Sequence, residues 1–285
     1  ESLPETKELA LKLADKTITY KTVSGKELKL HAYFPKDLNP KEKRPAILFI
    51  HGGAWTSGSP AVHALESLYF SQRGLITFSM SYRLLKPGGS SPADCLADAK
   101  TAMRYLREHS SELNIDPQKI IVCGGSAGGH LAAALSTIKG YNSSSDNLNT
   151  SCTPNAMILL YPAFDLVDGW VSGGKICSKH KIDPRAFSPA LHVSISTPPT
   201  LILSGSEDPI AKSQCNLAFI KYMKSLKRVS SFIEYKGKSH KLFTRHKSDP
   251  HFKATLYFME RFLKEQGYLQ NILATKPKIK ITSHQ

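Results

Sequence analysis

Lys119-Ile120-Ile121-Val122-Cys123-Gly124-Gly125-Ser126-Ala127-Gly128 carries more information than any other stretch of this chain. Its first half is apolar and β-branched, the pattern of a strand buried on both faces. It runs without a linker into Gly-x-Ser-x-Gly, and the apolar residues Leu131 to Leu135 beyond read as a helix. A serine on a sharp strand-to-helix turn has its hydroxyl thrust outward, and small flanking residues let the two backbones nearly touch. The competing reading of a Gly-rich turn is a phosphate loop. It is disfavoured because no Lys-Ser/Thr follows the glycines and the P-loop spacing is absent.

A serine hydroxyl is a poor nucleophile at neutral pH and needs a base, a group to orient that base, and donors for an oxyanion. Where the serine occupies such a turn, the partners follow in the order acid, then histidine. Downstream of Ser126, the strand Thr200 to Ser204 leads into Gly205-Ser206-Glu207-Asp208-Pro209, at the sheet edge where catalytic groups collect. Asp208 is the expected acid, and Glu207 the alternative, read as a solvated carboxylate. The strand Ser230 to Tyr235 is followed by His240, the expected base among 11 histidines. His246 and His251 read as surface residues, and His130 as a helix residue near the site. The oxyanion donors are expected from backbone N–H groups: Ala127 after the nucleophile, and Gly53 and Ala54 in the turn His51-Gly52-Gly53-Ala54-Trp55, which closes the apolar strand Ala46 to Ile50. His51 precedes Ser126 in the chain and reads as a turn residue.

Around these two turns, strands alternate with helices. Thr17 to Thr22 and Leu28 to Phe34 read as a hairpin with a Ser-Gly turn at 24–25, and Leu75 to Tyr82 and Ala156 to Tyr161 as further strands. Helices are expected at 5–15, 61–73, 92–109, 216–226 and 252–266. The pattern predicts a mostly parallel central sheet with helices on both faces, in a single α/β domain over 1–285. Residues 1–16 carry the N-terminal helix and 273–285 form a basic tail that reads as frayed. Residues 141–153 and 165–185 read as irregular.

The chain has 285 residues and ordinary globular composition, with 41% hydrophobic and 21% charged residues. No apolar run approaches the ~20 residues of a transmembrane helix. The net charge of +15 implies a basic solvated surface, or attraction to an anionic polymer or membrane surface. The scattered lysines lack a base-reading motif, so no nucleic-acid partner is expected. Five cysteines without a Cys-x-x-Cys pair argue against structural zinc, and no metal or organic cofactor is expected. Cys152 and Cys177 lie in polar sequence where a disulfide is conceivable, while Cys123 reads as a buried hydrophobe.

Over about residues 17–268 the chain resembles the α/β-hydrolase superfamily, close to the hormone-sensitive-lipase-like and acetyl-xylan/feruloyl-esterase-like carboxylesterases. The resemblance rests on His51 to Trp55, Ser81-Tyr82-Arg83, Pro92 to Asp98, Asn114-Ile115-Asp116-Pro117, Gly124 to Gly129, Ser188-Pro189, Pro198-Pro199-Thr200 and Gly205 to Ile210. Three features depart from it: Ala54 replaces a third oxyanion-turn glycine, Lys241 follows the expected base in place of a small residue, and too few residues precede the first strand for a cap. The resemblance therefore implies an α/β-hydrolase fold without a large cap domain. It also implies a serine carboxylesterase acting on short acyl esters, small or polymeric and of acetyl-xylan-esterase type, with Trp55 and Trp170 near the substrate. An arylformamidase or amidase is the nearest alternative, and a silent binding protein the alternative from another class. The first residue, Glu1, and the charge favour a secreted or periplasmic setting over a cytoplasmic one.

Overall fold

A computed structural model describes residues 3–86 and 89–284. Glu1, Ser2, Pro87, Gly88 and Gln285, the last being the end of the expected tail, lie outside the described residues. The short helix α1 (Lys7–Lys12) precedes the hairpin β1 (Lys16–Val23) and β2 (Lys26–Tyr33). Ser24 and Gly25 both take positive φ at its tip, as a type I′ turn requires. Then come β3 (Arg44–Ile50), α2 (Ala64–Ser71), β4 (Ile76–Met80), α3 (Pro92–Glu108), β5 (Ile115–Gly125) and α4 (Ala127–Thr137). The second half holds β6 (Ala156–Leu160), α5 (Val171–Lys179), β7 (Thr200–Gly205), α6 (Ser213–Ser225), β8 (Ser230–Tyr235), α7 (Pro250–Glu265) and β9 (Ile281–His284).

The strands form one nine-stranded sheet in the order β1-β2-β4-β3-β5-β6-β7-β8-β9. From β4 to β8 every pairing is parallel, and the outer pairings β1/β2, β2/β4 and β8/β9 are antiparallel. β4, β6 and β7 are buried at every position. β6 is apolar throughout, and the Thr77 and Ser79 hydroxyls of β4 donate to the Ser67 and Pro60 carbonyls. Alternate side chains feed two cores. Leu48, Val122, Leu159 and Ile202 pack with Leu96 and Met103 of α3 and Leu131 of α4. Phe49, Cys123, Ile158 and Leu203 pack with Phe70 of α2 and Phe258 and Met259 of α7. Among the described residues no helix is long and apolar enough to cross a membrane, and no cap domain interrupts the sheet order.

Local signals set the helix starts. Ser91 and Asp94 form a reciprocal capping box around Pro92 at the head of α3. Asp249 accepts from the N–H groups of His251 and Phe252 ahead of α7.

Three sequence expectations need correction. The stretch 165–185 contains helix α5, hidden by Gly173 and Gly174; a side chain at 174 would lie 2.3 Å from the Leu166 carbonyl oxygen. The basic tail does not end frayed: β9 pairs antiparallel with β8, Phe232 opposite His284. Backbone pairing drives that strand, and its half-exposed polar side chains give no apolar alternation to read. Finally, all five cysteines are free; Cys177 is buried on α5 and the Cys152 Sγ faces the Leu135 carbonyl oxygen at 3.7 Å.

Strand β3, strand β5 and helix α4 touch through glycine. A Cβ at Gly128 would lie 2.1 Å from the Ile50 carbonyl oxygen, and one at Gly124 would lie 2.2 Å from the Gly128 carbonyl oxygen. Gly128→Ala is expected to lower stability by about 1–3 kcal/mol or more, read as a drop in the urea unfolding midpoint. An unchanged midpoint would contradict this close approach.

Candidate active site

The C-terminal ends of β3, β5, β7 and β8 bring the expected site residues to one edge of the sheet. Ser126 lies between β5 and α4 with φ 56° and ψ −122°, a conformation rarely taken by a residue with a side chain. The surrounding backbone holds it there. Its N–H donates to the Leu160 carbonyl, and its own carbonyl accepts from His130 N and Ala163 N.

The Ser126 hydroxyl is 2.7 Å from His240 Nε2, and His240 Nδ1 is 2.8 Å from Asp208 Oδ2. An ionised carboxylate only accepts, so Nδ1 carries the ring hydrogen and Nε2 is free to accept from the serine. Asp208 is buried, and its Oδ1 accepts from the N–H groups of Ile210 and Ala211 at 2.8 Å each. Glu207 points to solvent and stays outside this chain of bonds. The loops after β7 and β8 meet because position 205 has no side chain: a Cβ there would sit 2.0 Å from the Lys238 carbonyl oxygen.

Gly53, Ala54 and Trp55 take consecutive positive φ values of 115°, 52° and 63°. The turn closes when Thr56 N and Ser57 N donate to the Gly53 carbonyl, and it faces the same cleft as Ser126 and His240. Ala127 is the first residue of α4, so its N–H has no intrahelical acceptor, and the positive end of the helix dipole adds to it. This arrangement can stabilise negative charge developing beside Ser126.

The cleft has a volume of about 850 Å³. Trp170 and Ile210 form one part of its wall, and residues 5–8 of the N-terminal segment form another. The expectation that Trp55 touches substrate needs correction. Its indole is fully buried, 4.6 Å centroid to centroid behind Trp170, with Phe187 and His130 beyond. Trp55 therefore backs the wall that Trp170 presents.

The other histidines have structural surroundings. His51 stacks on Tyr82 at 4.3 Å, and burial pulls its pKa down to about 4. His130 is fully buried with Nε2 on the Phe187 carbonyl, and burial likewise pulls it down to about 4. His246 reaches Glu5, and His251 lies beside the α7 cap Asp249. Burial pushes the Cys123 thiol well up, which keeps it protonated. Sequence reasoning missed Tyr161 and Arg245 in the cleft wall and the buried Glu66 behind them. Tyr161-Pro162 after a strand was the only available signal.

A strained serine after β5, an acid after β7 and a histidine after β8 of a largely parallel sheet define an α/β-hydrolase domain of the carboxylesterase type. The chain belongs to the BD-FAE family, whose pattern matches residues 30–222. It is similar to the probable isoprenylcysteine alpha-carbonyl methylesterase ICMEL1 of Arabidopsis thaliana, 28% identical over 232 residues, which are 74% of this chain and 48% of that protein. Carboxylesterase NlhH of Mycobacterium tuberculosis is 26% identical over 227 residues, 74% of this chain and 68% of that one. Among solved structures, esterase 2 of Thermogutta terrifontis phosphoramylated by tabun superimposes with a TM-score of 0.84 at 33% identity, covering 91% of this chain and 97% of that one. The chain spans about half the length of the first curated relatives, 48% and 49%.

Buried neutral histidines make stability depend on pH. His51 and His130 ionise near 6.5 when unfolded but near 4 when folded, so between those values the unfolded chain binds more protons. Stability is then full above about pH 6.5 and falls as the pH drops toward 4, by up to about 3 kcal/mol per histidine. Urea unfolding at pH 7, 6, 5 and 4 checks this. His130→Leu is expected to flatten the profile, and an equally steep one would remove His130 from the account.

Proposed function

We propose that the protein is a serine carboxylester hydrolase that removes short acyl groups from carbohydrate or other oxygen-rich alcohols. The observation that carries the reading is the hydrogen-bonded chain Ser126–His240–Asp208 at the mouth of the cleft. Ser126 Oγ attacks the ester carbonyl carbon while His240 Nε2 takes its proton. The carbonyl oxygen becomes an oxyanion held by the N–H groups of Gly53, Ala54 and Ala127, each worth roughly 3–4 kcal/mol in the transition state. Collapse breaks the ester C–O bond, and the alcohol leaves with the proton from His240. Water then attacks the acyl-serine, assisted by the same histidine, and frees the acid. Asp208 orients the ring and stabilises it while it is charged.

Three observations support short acyl groups. The cleft is uncapped among the described residues, Trp170 packs against Trp55 at 4.6 Å between ring centroids, and the similar Thermogutta terrifontis enzyme has been solved with propionate and with butyrate bound. The basic surface suits an anionic polymer bearing the ester.

A fluorophosphonate probe is expected to label Ser126, and Ser126→Ala to abolish both labelling and turnover. Asp208→Asn should lower kcat by about 10³–10⁴. Failure to label folded protein sinks the enzyme reading. Acetyl and propionyl esters should be turned over faster than octanoyl esters, and acetylated polysaccharides should release acetate. Faster turnover of N-formyl amides than of esters would favour the formamidase alternative.

A further inference from the structure

Tyr161 and Arg245 stand in the cleft wall without a part in the chemistry above. Tyr161, directly after β6, takes φ 37°, although the proline that follows disfavours helical conformations at its position. Its N–H donates to the Leu203 carbonyl at 2.6 Å, and its ring meets His240 edge-on at 5.3 Å. The hydroxyl lies beside the residue preceding the nucleophile: a Cβ on Gly125 would be 3.0 Å from it.

Arg245 lies beyond His240 on the following loop and reaches Tyr161 in the cleft wall. Its Nη2 donates to the Tyr161 hydroxyl oxygen at 3.0 Å, and its Nε to Glu66 Oε1 at 2.8 Å. Glu66 is fully buried, and His63 Nδ1 lies 3.2 Å from the same oxygen. Burial pushes the Glu66 carboxyl up, but the charge of Arg245 and then His63 outweigh it and hold it down to about 2. A guanidinium only donates, so the Tyr161 oxygen is the acceptor and its own hydrogen is left over. No acceptor among the described residues takes that hydrogen.

A phenylalanine would pack against His240 and Phe243 as well as Tyr161 does, and a buried ion pair is an expensive way to hold a ring in place. What the Arg245–Glu66 pair adds is a fixed, polarised hydroxyl donor facing the cleft next to Ser126. We propose that Tyr161 is a specificity-determining residue: its hydroxyl donates to a substrate oxygen near the scissile ester. The site then prefers esters bearing an ether, hydroxyl or carbonyl oxygen there over hydrocarbon esters. Arg245 is the positioning residue that acts through it. The proposal rests on the serine-esterase reading and names the chemistry of its substrate.

The test uses matched esters in which one CH₂ becomes an ether oxygen: p-nitrophenyl butyrate against p-nitrophenyl methoxyacetate on the acyl side, and butyl acetate against 2-methoxyethyl acetate on the alcohol side. Taking variant over wild type for each ester cancels intrinsic reactivity. Tyr161→Phe should lower kcat/KM for the ether member of at least one pair about five- to tenfold more than for its hydrocarbon twin. Arg245→Lys should shift the ratio the same way, because one ammonium cannot serve Glu66 and Tyr161 in the fixed geometry of a guanidinium. The double variant should show no further shift. Ratios within twofold for both pairs overturn the proposal while fluorophosphonate labelling of Ser126 leaves the esterase reading standing. Loss of labelling in the wild type overturns both. If thermal unfolding shows that Tyr161→Phe does not fold, Arg245→Lys carries the same comparison, with the same ratios for and against.

Discussion

The missing side chains at Gly52, Gly124 and Gly128 are the condition on which the site depends. They let β3, β5 and α4 approach until backbone atoms touch: a Cβ on Gly52 would lie 2.7 Å from the Gly125 carbonyl oxygen and 3.1 Å from the Ser126 Cβ. This contact brings the turn that presents Gly53 and Ala54 alongside Ser126. It also fixes the strained backbone of Ser126, whose cost of roughly 1–3 kcal/mol is borne by the hydrogen bonds that lock its N–H and carbonyl. Parallel pairing does the rest, because strands running the same way deliver their following loops to the same edge.

Two buried carboxylates flank the site and are held by opposite means. Asp208 is satisfied by backbone N–H groups from its own loop, so it needs no cation and its second oxygen remains for His240. Glu66 has no such loop and is balanced by Arg245 instead. The distinction matters for proton traffic. In the proposed mechanism a cation beside Asp208 would compete with the imidazolium, and Arg245 instead contacts Glu66 and Tyr161. Burial holds His51 and His130 neutral, while His240 keeps about a quarter of its side chain exposed.

What can be read from the sequence is what local chemistry dictates. Apolar strands and glycine-rich turns at strand ends announce the parallel sheet and the edge carrying Ser126, Asp208 and His240. What escapes depends on partners distant in the chain. Helix α5 has glycines at its packing face, where an apolar stripe would have revealed it. Strand β9 exists because β8 offers it an edge, and its own residues carry no alternation. Glu66 and Arg245 are 179 residues apart and belong to no motif, so only the fold makes them a pair. The turn sequence puts Trp55 in the right neighbourhood but one layer too far forward, since a sequence cannot say which of two stacked indoles faces the cavity.

The two walls of the cleft differ in stiffness for reasons that follow from their composition. Trp170 rests on Trp55, which rests on Phe187 and His130, all close-packed in the core, so this wall cannot yield without opening a cavity. On the other side, Glu5 pairs with His246 and Lys247 from the loop beyond His240, with side chains about half exposed. Exposed pairs of this kind contribute little and exchange readily with water. Adjustment to a bound molecule therefore falls on the charged wall rather than on the wall built by Trp170. That division lets the cleft stay rigid on one side while the other remains adaptable.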